Sequence, residues 1–223
     1  MIENKNWKIL SQPAKAVFPA IACFADKNGV AFPGEDTISA VTGITEKRVR
    51  QGIKDLDGFP GFEWDFYTTR RGRRSKKFKL SLPKNPKPGE SFPFHKYILE
   101  SGNWCQSKPS AKALYPVMRY FGFFDIETYL NLEDENDEYS LTDFQEVYPR
   151  RKWDNCQAEK MILADYAGID RRSINTALDS LEKCGLIKPY EGEGWLVYLK
   201  SKDNLIFTRA FLNNQLMGKK YRS

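Results

Sequence analysis

Two six-residue segments that are identical at four positions occur in this chain of 223 residues, and this repeat restricts the fold more than any other feature. AKAVFP at 14–19 matches AKALYP at 111–116, 97 residues further on. ISAVTGI at 38–44 returns more loosely as LADYAGI at 163–169, 125 residues further on. The chain is therefore predicted to contain two copies of one folding module, the second with 28 additional residues between its matched segments.

Residues 34–80 of the first copy are predicted to form two short helices followed by a hairpin. Gly43 is expected to end the first helix in the left-handed conformation, and Thr45 to cap a second helix over 46–57. In that helix Val49, Ile53 and Leu56 recur at the spacing of one buried face. An aromatic strand at 62–69 and its partner at 78–82 are expected to form the hairpin.

The second helix places polar side chains opposite its apolar face. A rotation of about 100° per residue brings Lys47, Gln51 and Lys54 together there, with Arg48 and Arg50 beside them. Lys and Arg donate hydrogen bonds to guanine, and Gln can pair with adenine through two bonds, so the pattern suits the major groove of DNA. A solvated helix face is also charged, so the helix alone does not decide the function.

The hairpin turn is the stronger indication of nucleic-acid binding. Six of the eight residues at 70–77 are cations. These cations repel one another unless an anion is supplied, and phosphates are the expected partner. The predicted contacts are Arg70, Arg71, Arg73, Arg74, Lys76 and Lys77, together with Thr45 and the polar residues of the helix.

The second copy has a different charge pattern. Its helix is predicted to start after Asp170 and to present Arg171, Arg172, Asn175 and Thr176 to a ligand. Its hairpin turn is EGEG at 191–194, which phosphates would repel. This copy is therefore expected either to contact bases or to bind a protein.

The chain divides into four segments on these patterns. Residues 1–83 form the first module, and the Pro-rich linker with a transitional stretch covers 84–108. The second module covers 109–200 and includes an acidic insertion at about 123–155; a helix and a basic tail follow at 201–223. Residues 1–90 carry 17 Lys and Arg against 10 Asp and Glu, so the first module and the start of the linker hold more than the whole net charge of +6.

Several function classes are disfavoured by what the sequence lacks. The four cysteines have no metal-ligand spacing and there is one histidine, so neither a metal nor another cofactor is expected. The chain has no phosphate-binding loop, no HExxH and no GxSxG, and is expected not to be an enzyme. No apolar run is long enough to cross a membrane, and the N-terminus is too polar for a signal peptide. A cytoplasmic, nucleoid-associated protein with reduced thiols is predicted.

FPGEDTISAVTGITEKRVRQGIKDL at 32–56 carries a family resemblance. Residues 13–82 resemble the winged-helix modules at the N-termini of phage replication-organiser proteins and plasmid replication initiators. This resemblance implies binding at a replication origin and recruitment of host replication proteins. The second, acidic hairpin and the insertion depart from the pattern.

The predicted fold is therefore mainly α with small β-hairpin wings, as two winged-helix domains in tandem. The leading functional hypothesis is sequence-specific binding of double-stranded DNA by a replication initiator of a plasmid or phage, with a homodimer as a further option. A winged-helix transcriptional regulator and a protein-interaction scaffold remain the alternatives, because one fold serves many functions.

Overall fold

The computed structural model describes residues 2, 6–81, 94–125, 151–190 and 194–199. Within these ranges the protein is mainly helical with two small antiparallel sheets, which confirms the predicted class. The Pro-rich part of the linker, the acidic residues 126–150, the second hairpin turn and the predicted C-terminal helix and tail lie outside the described residues.

A short helix, α1 (Asn6–Ile9), precedes the N unit, which we define as residues 12–80. The N unit consists of α2 (Gln12–Cys23), β1 (Val30–Ala31), α3 (Glu35–Thr42), α4 (Glu46–Asp55), β2 (Phe62–Thr68) and β3 (Arg74–Leu80). Its strands pair antiparallel in the order β1-β3-β2. Thr45 caps α4 as predicted, because its side chain accepts a hydrogen bond from the backbone nitrogen of Arg48.

Two further short helices, α5 (Lys96–Glu100) and α6 (Asn103–Gln106), lead into the C unit, residues 109–198. The C unit consists of α7 (Pro109–Phe121), β4 (Trp153–Cys156), α8 (Lys160–Ala167), α9 (Ile174–Lys183), β5 (Ile187–Pro189) and β6 (Trp195–Tyr198). Its strands follow the order β4-β6-β5, so both units share one order of elements and one sheet topology. A 3-10 turn, Arg171–Ser173, capped by Asp170, comes directly before α9.

Strand β4 extends the repeat to a segment that the sequence did not predict as a strand. Ala31 pairs with Phe78 in the N unit, and Cys156, 125 residues after Ala31, pairs with Trp195 in the C unit. All four β4 residues are buried, so the WDNC sequence shows no alternation of polar and apolar residues. Residues 153–155, predicted as part of the insertion, are therefore a structural strand of the C unit.

The transitional stretch of the prediction is also folded. Helix α6 carries Trp104, which is completely buried, and Ile98 of α5 is buried as well. These helices are only four and five residues long, so no periodic pattern marks them in the sequence. Their stability comes from contacts with the N unit, where α5 and α6 pack against α3.

The two units share one hydrophobic core, and their contacts are reciprocal. Helices α2 and α7 pack against each other at its centre. The indole nitrogen of Trp7 donates to the Ala113 carbonyl oxygen at 2.9 Å, and that of Trp104 donates to the Ala16 carbonyl oxygen at 3.0 Å. Trp7 and Trp104 are 97 residues apart, as are Ala16 and Ala113, so each unit binds the tryptophan that precedes the other unit.

Two buried lysines occupy equivalent positions, and each donates to the carbonyl oxygen seven residues before it, although only Lys15 also reaches the other unit. Lys15 Nζ donates to the carbonyl oxygens of Lys8 at 3.1 Å and Ala167 at 2.9 Å. Lys112, again 97 residues later, donates to the carbonyl oxygens of Cys105 and Ser107. Each ammonium group thereby satisfies backbone acceptors at helix ends that would otherwise be buried without a partner.

Gly43 and Gly168 occupy equivalent places against the short helices. Their φ values are +68° and +59°, in the left-handed region that favours glycine. A Cβ at Gly43 would overlap the Cys105 carbonyl oxygen, and one at Gly168 would overlap the Lys8 carbonyl oxygen. The predicted helix stop at Gly43 is confirmed, and the close approach gives a second reason for glycine.

Candidate nucleic-acid interface

The outward face of α4 contains all the helix residues predicted to contact DNA. Val49, Gly52 and Ile53 face the core and are buried. The exposed residues on the other side are Lys47, Arg48, Arg50, Gln51 and Lys54. The helix therefore presents four cations and one amide to solvent, next to the capping residue Thr45, which is also exposed.

The hairpin formed by β2 and β3 projects beyond the core. Seven residue pairs join the strands, from Phe62 with Leu80 to Thr68 with Arg74. Only the base of the hairpin is anchored, because Phe62, Phe78 and Leu80 are buried, whereas the residues toward the turn are mostly exposed. The exposed predicted cations are Arg70, Arg71, Arg73, Arg74 and Lys77, and Lys76 is half-buried.

The cations of the turn have little internal charge compensation. Among the residues that the structure describes, no acidic side chain lies within ion-pair distance of Arg70, Arg71 or Arg73. Thr69 Oγ1 accepts from the Arg73 backbone nitrogen at 3.1 Å, and Gly72 has a φ of +72°, so the turn is ordered by its backbone. An ordered, uncompensated cluster of positive charge attracts polyanions.

Aromatic side chains support the cations at the stem of the hairpin. The Arg74 guanidinium carbon lies 3.7 Å from the centre of the Phe66 ring. Lys76 Nζ lies 5.5 Å from the same ring and 5.6 Å from that of Trp64, and the two rings meet edge to face. Cation–π contacts of this kind hold long side chains in place without neutralising their charge.

Glu35, a residue that the sequence analysis did not select, joins the hairpin to α4. Its carboxylate accepts from Arg50 Nε at 3.1 Å and also pairs with Lys76 Nζ. The side chains of Glu35, Arg50 and Lys76 are 27%, 60% and 17% exposed, so the ion pairs themselves contribute little to stability. Their effect is geometric, because one carboxylate fixes a cation of the helix and a cation of the hairpin at neighbouring positions.

Gln51 is also held before any ligand binds. Its amide nitrogen donates to Asp55 Oδ1 at 2.6 Å, and the other carboxylate oxygen of Asp55 accepts from Ser11, the cap of α2. Gln51 and Asp55 are four residues apart on a helix, where side chains are neighbours, so this pair could have been predicted from the sequence.

The C unit brings its four predicted residues together at the start of α9. Arg171 and Arg172 lie on the 3-10 turn and Asn175 and Thr176 on the first turn of α9, all four exposed. Lys160 Nζ donates to Asn175 Oδ1 at 3.0 Å. Because Lys160 and Asn175 are the equivalents of Glu35 and Arg50, 125 residues later, the same two positions interact in both units with donor and acceptor exchanged.

The strongest pKa shifts belong to interior groups and not to this surface. Burial lowers the pKa of Lys15 and of Lys112 to about 8. Burial also raises the pKa of Cys23 to about 12 and that of Cys156 to about 11, which keeps these thiols protonated. These groups therefore belong to the core and its packing.

No group of three or more His, Cys, Asp or Glu in the described ranges is placed to hold a metal ion. None of the helices in the same ranges has the length and hydropathy needed to cross a membrane. Comparison with known proteins gives no match: no family model, curated protein or solved structure matches the chain.

Proposed function

We propose that the chain is a tandem winged-helix protein that binds double-stranded DNA at specific sequences. Both units have the order helix, strand, helix, helix, strand, strand expected of a winged helix, with α4 and α9 as recognition helices and the hairpins as wings. A recognition helix reads base edges in the major groove, while neighbouring cations bind the backbone.

One observation carries this proposal: the N unit displays a cationic hairpin and a cationic helix face that Glu35 links directly. Phosphate contacts by the hairpin would supply affinity, and Lys47, Gln51 and Lys54 would supply discrimination between bases. The C unit is proposed to contribute weaker contacts through Arg171, Arg172, Asn175 and Thr176.

The proposed role is that of a replication initiator or organiser of a plasmid or phage, acting in the bacterial cytoplasm with host replication proteins. The resemblance of residues 13–82 to such modules supports this role. A transcriptional regulator would use the same surface, so the position of the target site distinguishes the two. Repeated sites at an origin indicate initiation, and a single palindrome in the protein's own promoter indicates repression.

Selection of bound sequences from random duplex DNA tests sequence specificity. We expect a defined motif whose enrichment is lost in the K47A/Q51A variant, because the predicted base contacts are removed. Two half-sites in the motif would indicate that both units, or a dimer, read the DNA. Enrichment of no sequence would contradict specific recognition.

Salt dependence of duplex binding tests the hairpin. Replacing Arg70, Arg71, Arg73 and Arg74 by alanine should reduce the log–log salt slope by about 3 to 4, since each phosphate contact contributes about 0.9. The matched control removes four exposed lysines elsewhere: Lys27, Lys96, Lys108 and Lys183. If both variants change the slope equally, binding follows net charge and the hairpin has no special role.

A further inference from the structure

The C unit has a groove between α9 and the hairpin of β5 and β6. The cavity has a volume of about 430 Å³. It lies at the place where, in the N unit, α4 meets the wing through Glu35. Its principal lining residues are Lys160, Asn175, Asp179, Glu182, Tyr190 and Trp195.

The hairpin beside the groove is shorter than its equivalent in the N unit. The pair Trp64 with Phe78 in the N unit corresponds in register to Pro189 with Trp195 in the C unit. Thirteen residues separate the first pair along the chain and five separate the second. The C-unit hairpin is therefore shorter beyond this pair, and a proline takes the place of Trp64.

The charge in the groove is opposite to that of the N-unit surface. Asp179 takes the place of Lys54, 125 residues later, and Glu182 lies three residues further along the same side of α9. Among the described residues, neither carboxylate has a hydrogen-bond or ion-pair partner. Two unpaired carboxylates repel DNA phosphates and attract a cation.

The aromatic wall of the groove also favours a cation. Lys160 Nζ lies 6.0 Å from the centre of the Trp195 ring while it is bonded to Asn175. The ring thus already faces one ammonium group, and Tyr190 and Leu178 line the same groove as Asp179 and Glu182. A planar guanidinium can stack on such a ring and pair with both carboxylates through parallel hydrogen bonds.

We propose that this groove binds an arginine side chain of a partner protein, with apolar residues beside that arginine in the partner. The groove lies apart from the DNA-binding surface proposed for the N unit, and it shares Asn175 with the weaker DNA contacts proposed for the C unit. The whole chain carries a net charge of +6, so a basic peptide is repelled at long range. Binding of such a peptide would therefore require a local acidic site.

The probe is a library of random dodecapeptides displayed on phage. Peptides that bind the full-length wild-type chain are selected, and those that also bind the D179N/E182Q variant are removed. Both side chains are exposed and both substitutions keep the shape, so the variant should fold. We expect the retained peptides to share an arginine flanked by apolar residues. A synthetic peptide of this kind should bind about tenfold more weakly to D179N/E182Q, measured by fluorescence anisotropy.

The matched control is D57N/E63Q, which makes the same charge change on exposed residues of the N unit and should bind the peptide as the wild type does. Duplex DNA binding is measured on the same proteins, so a failure of the DNA proposal is seen separately. The groove proposal is overturned if no peptide distinguishes wild type from D179N/E182Q, or if the retained peptides lack arginine. It is also overturned if D179N/E182Q weakens DNA binding, because the groove would then belong to the DNA surface.

Discussion

The hairpin of the N unit joins seven residue pairs and carries the cationic turn, whereas that of the C unit joins three pairs. In contrast, the tryptophan contacts between the units are nearly the same in both directions, and each buried lysine donates to the carbonyl oxygen seven residues before it. The two units are thus most similar where they touch each other and least similar on their outward faces. Packing constrains the shared core in both copies at once, while solvent leaves the outer surfaces free to diverge.

Replacing the hairpin of the N unit with that of the C unit should have the largest effect on DNA binding. Replacing residues 65–77 with residues 190–194 removes six cations but leaves the buried pair of Phe62 and Leu80 in place. We expect duplex affinity to fall about 100- to 1000-fold at 0.1 M salt, because the proposed phosphate contacts would be lost. Gel-shift titration and thermal unfolding measure affinity and folding separately.

The converse exchange is the control for that experiment. Residues 65–77 placed between Pro189 and Trp195 should increase the duplex affinity of the chain, and its salt dependence should become steeper. An N-unit variant with the short hairpin that still binds DNA like the wild type would show that the two units do not differ in the way proposed.

Removal of the reciprocal indole bonds should give two similar losses of stability. Trp7→Phe and Trp104→Phe each leave a buried carbonyl without its donor and a small cavity, at a cost of about 2–4 kcal/mol. Denaturant unfolding measures both. Trp64→Phe is the control, because Trp64 Nε1 is buried and has no hydrogen-bond partner among the described residues. A large loss for only one of Trp7 and Trp104 would contradict the symmetry of the core.

Matched substitutions on the two recognition helices should differ in their effect. Lys47→Ala and Gln51→Ala are each expected to reduce discrimination between the selected duplex and a scrambled one by about 1–3 kcal/mol. The equivalent changes, Arg172→Ala and Thr176→Ala, should have smaller effects. Competition binding measures the effect of all four substitutions. Equal effects in the two units would show that both units discriminate between bases to the same extent.

The buried lysines should make stability rise with pH. Their folded-state pKa is about 8, below the usual 10.5, so above pH 8 the unfolded chain binds more protons than the folded one. The free energy of unfolding should therefore increase from pH 7 to 9, by at most about 1.4 kcal/mol per pH unit for each lysine. Above pH 9 the buried thiols, whose pKa is raised, act in the opposite direction.

The variant K15M/K112M tests this assignment. It should be less stable than the wild type at pH 9, because four carbonyl oxygens, two in buried and two in part-buried hydrogen bonds, lose their lysine donors. Its free energy of unfolding should also vary less between pH 7 and 9. An unchanged pH dependence would show that other groups are responsible, and Cys105 and Cys184, which lie near Lys112, would be the next to change.

Elements that are stabilised by interactions between neighbouring residues could be predicted from the sequence, whereas elements stabilised by residues distant in the chain could not. Helix α4 was predicted from the spacing of Val49, Ile53 and Leu56 and from the cap at Thr45, which are local signals. Strand β4 and helix α6 were missed, since they are short and are stabilised by residues far away in the chain. Trp104, for example, is bonded to Ala16, 88 residues earlier.

The residues of the candidate site likewise divide into those that local patterns predicted and those that they did not. The cations of 70–77 and the polar face of α4 were selected from composition and helical spacing, and the structure places them on exposed surface. Glu35 and the groove beside Trp195 were not selected. Glu35 acts through Lys76, 41 residues away, and the groove is lined by residues of α8, α9 and the C-unit hairpin, which are separated in the chain.

The sequence by itself determined the duplication, the helices with clear periodicity and the charge difference between the two hairpins, because residue order records these properties directly. Only the tertiary structure decided that the two units share one core, that each binds the tryptophan preceding the other, and that Glu35 joins helix and hairpin. Such contacts link residues that are distant in the chain, and their geometry arises only when the whole chain packs.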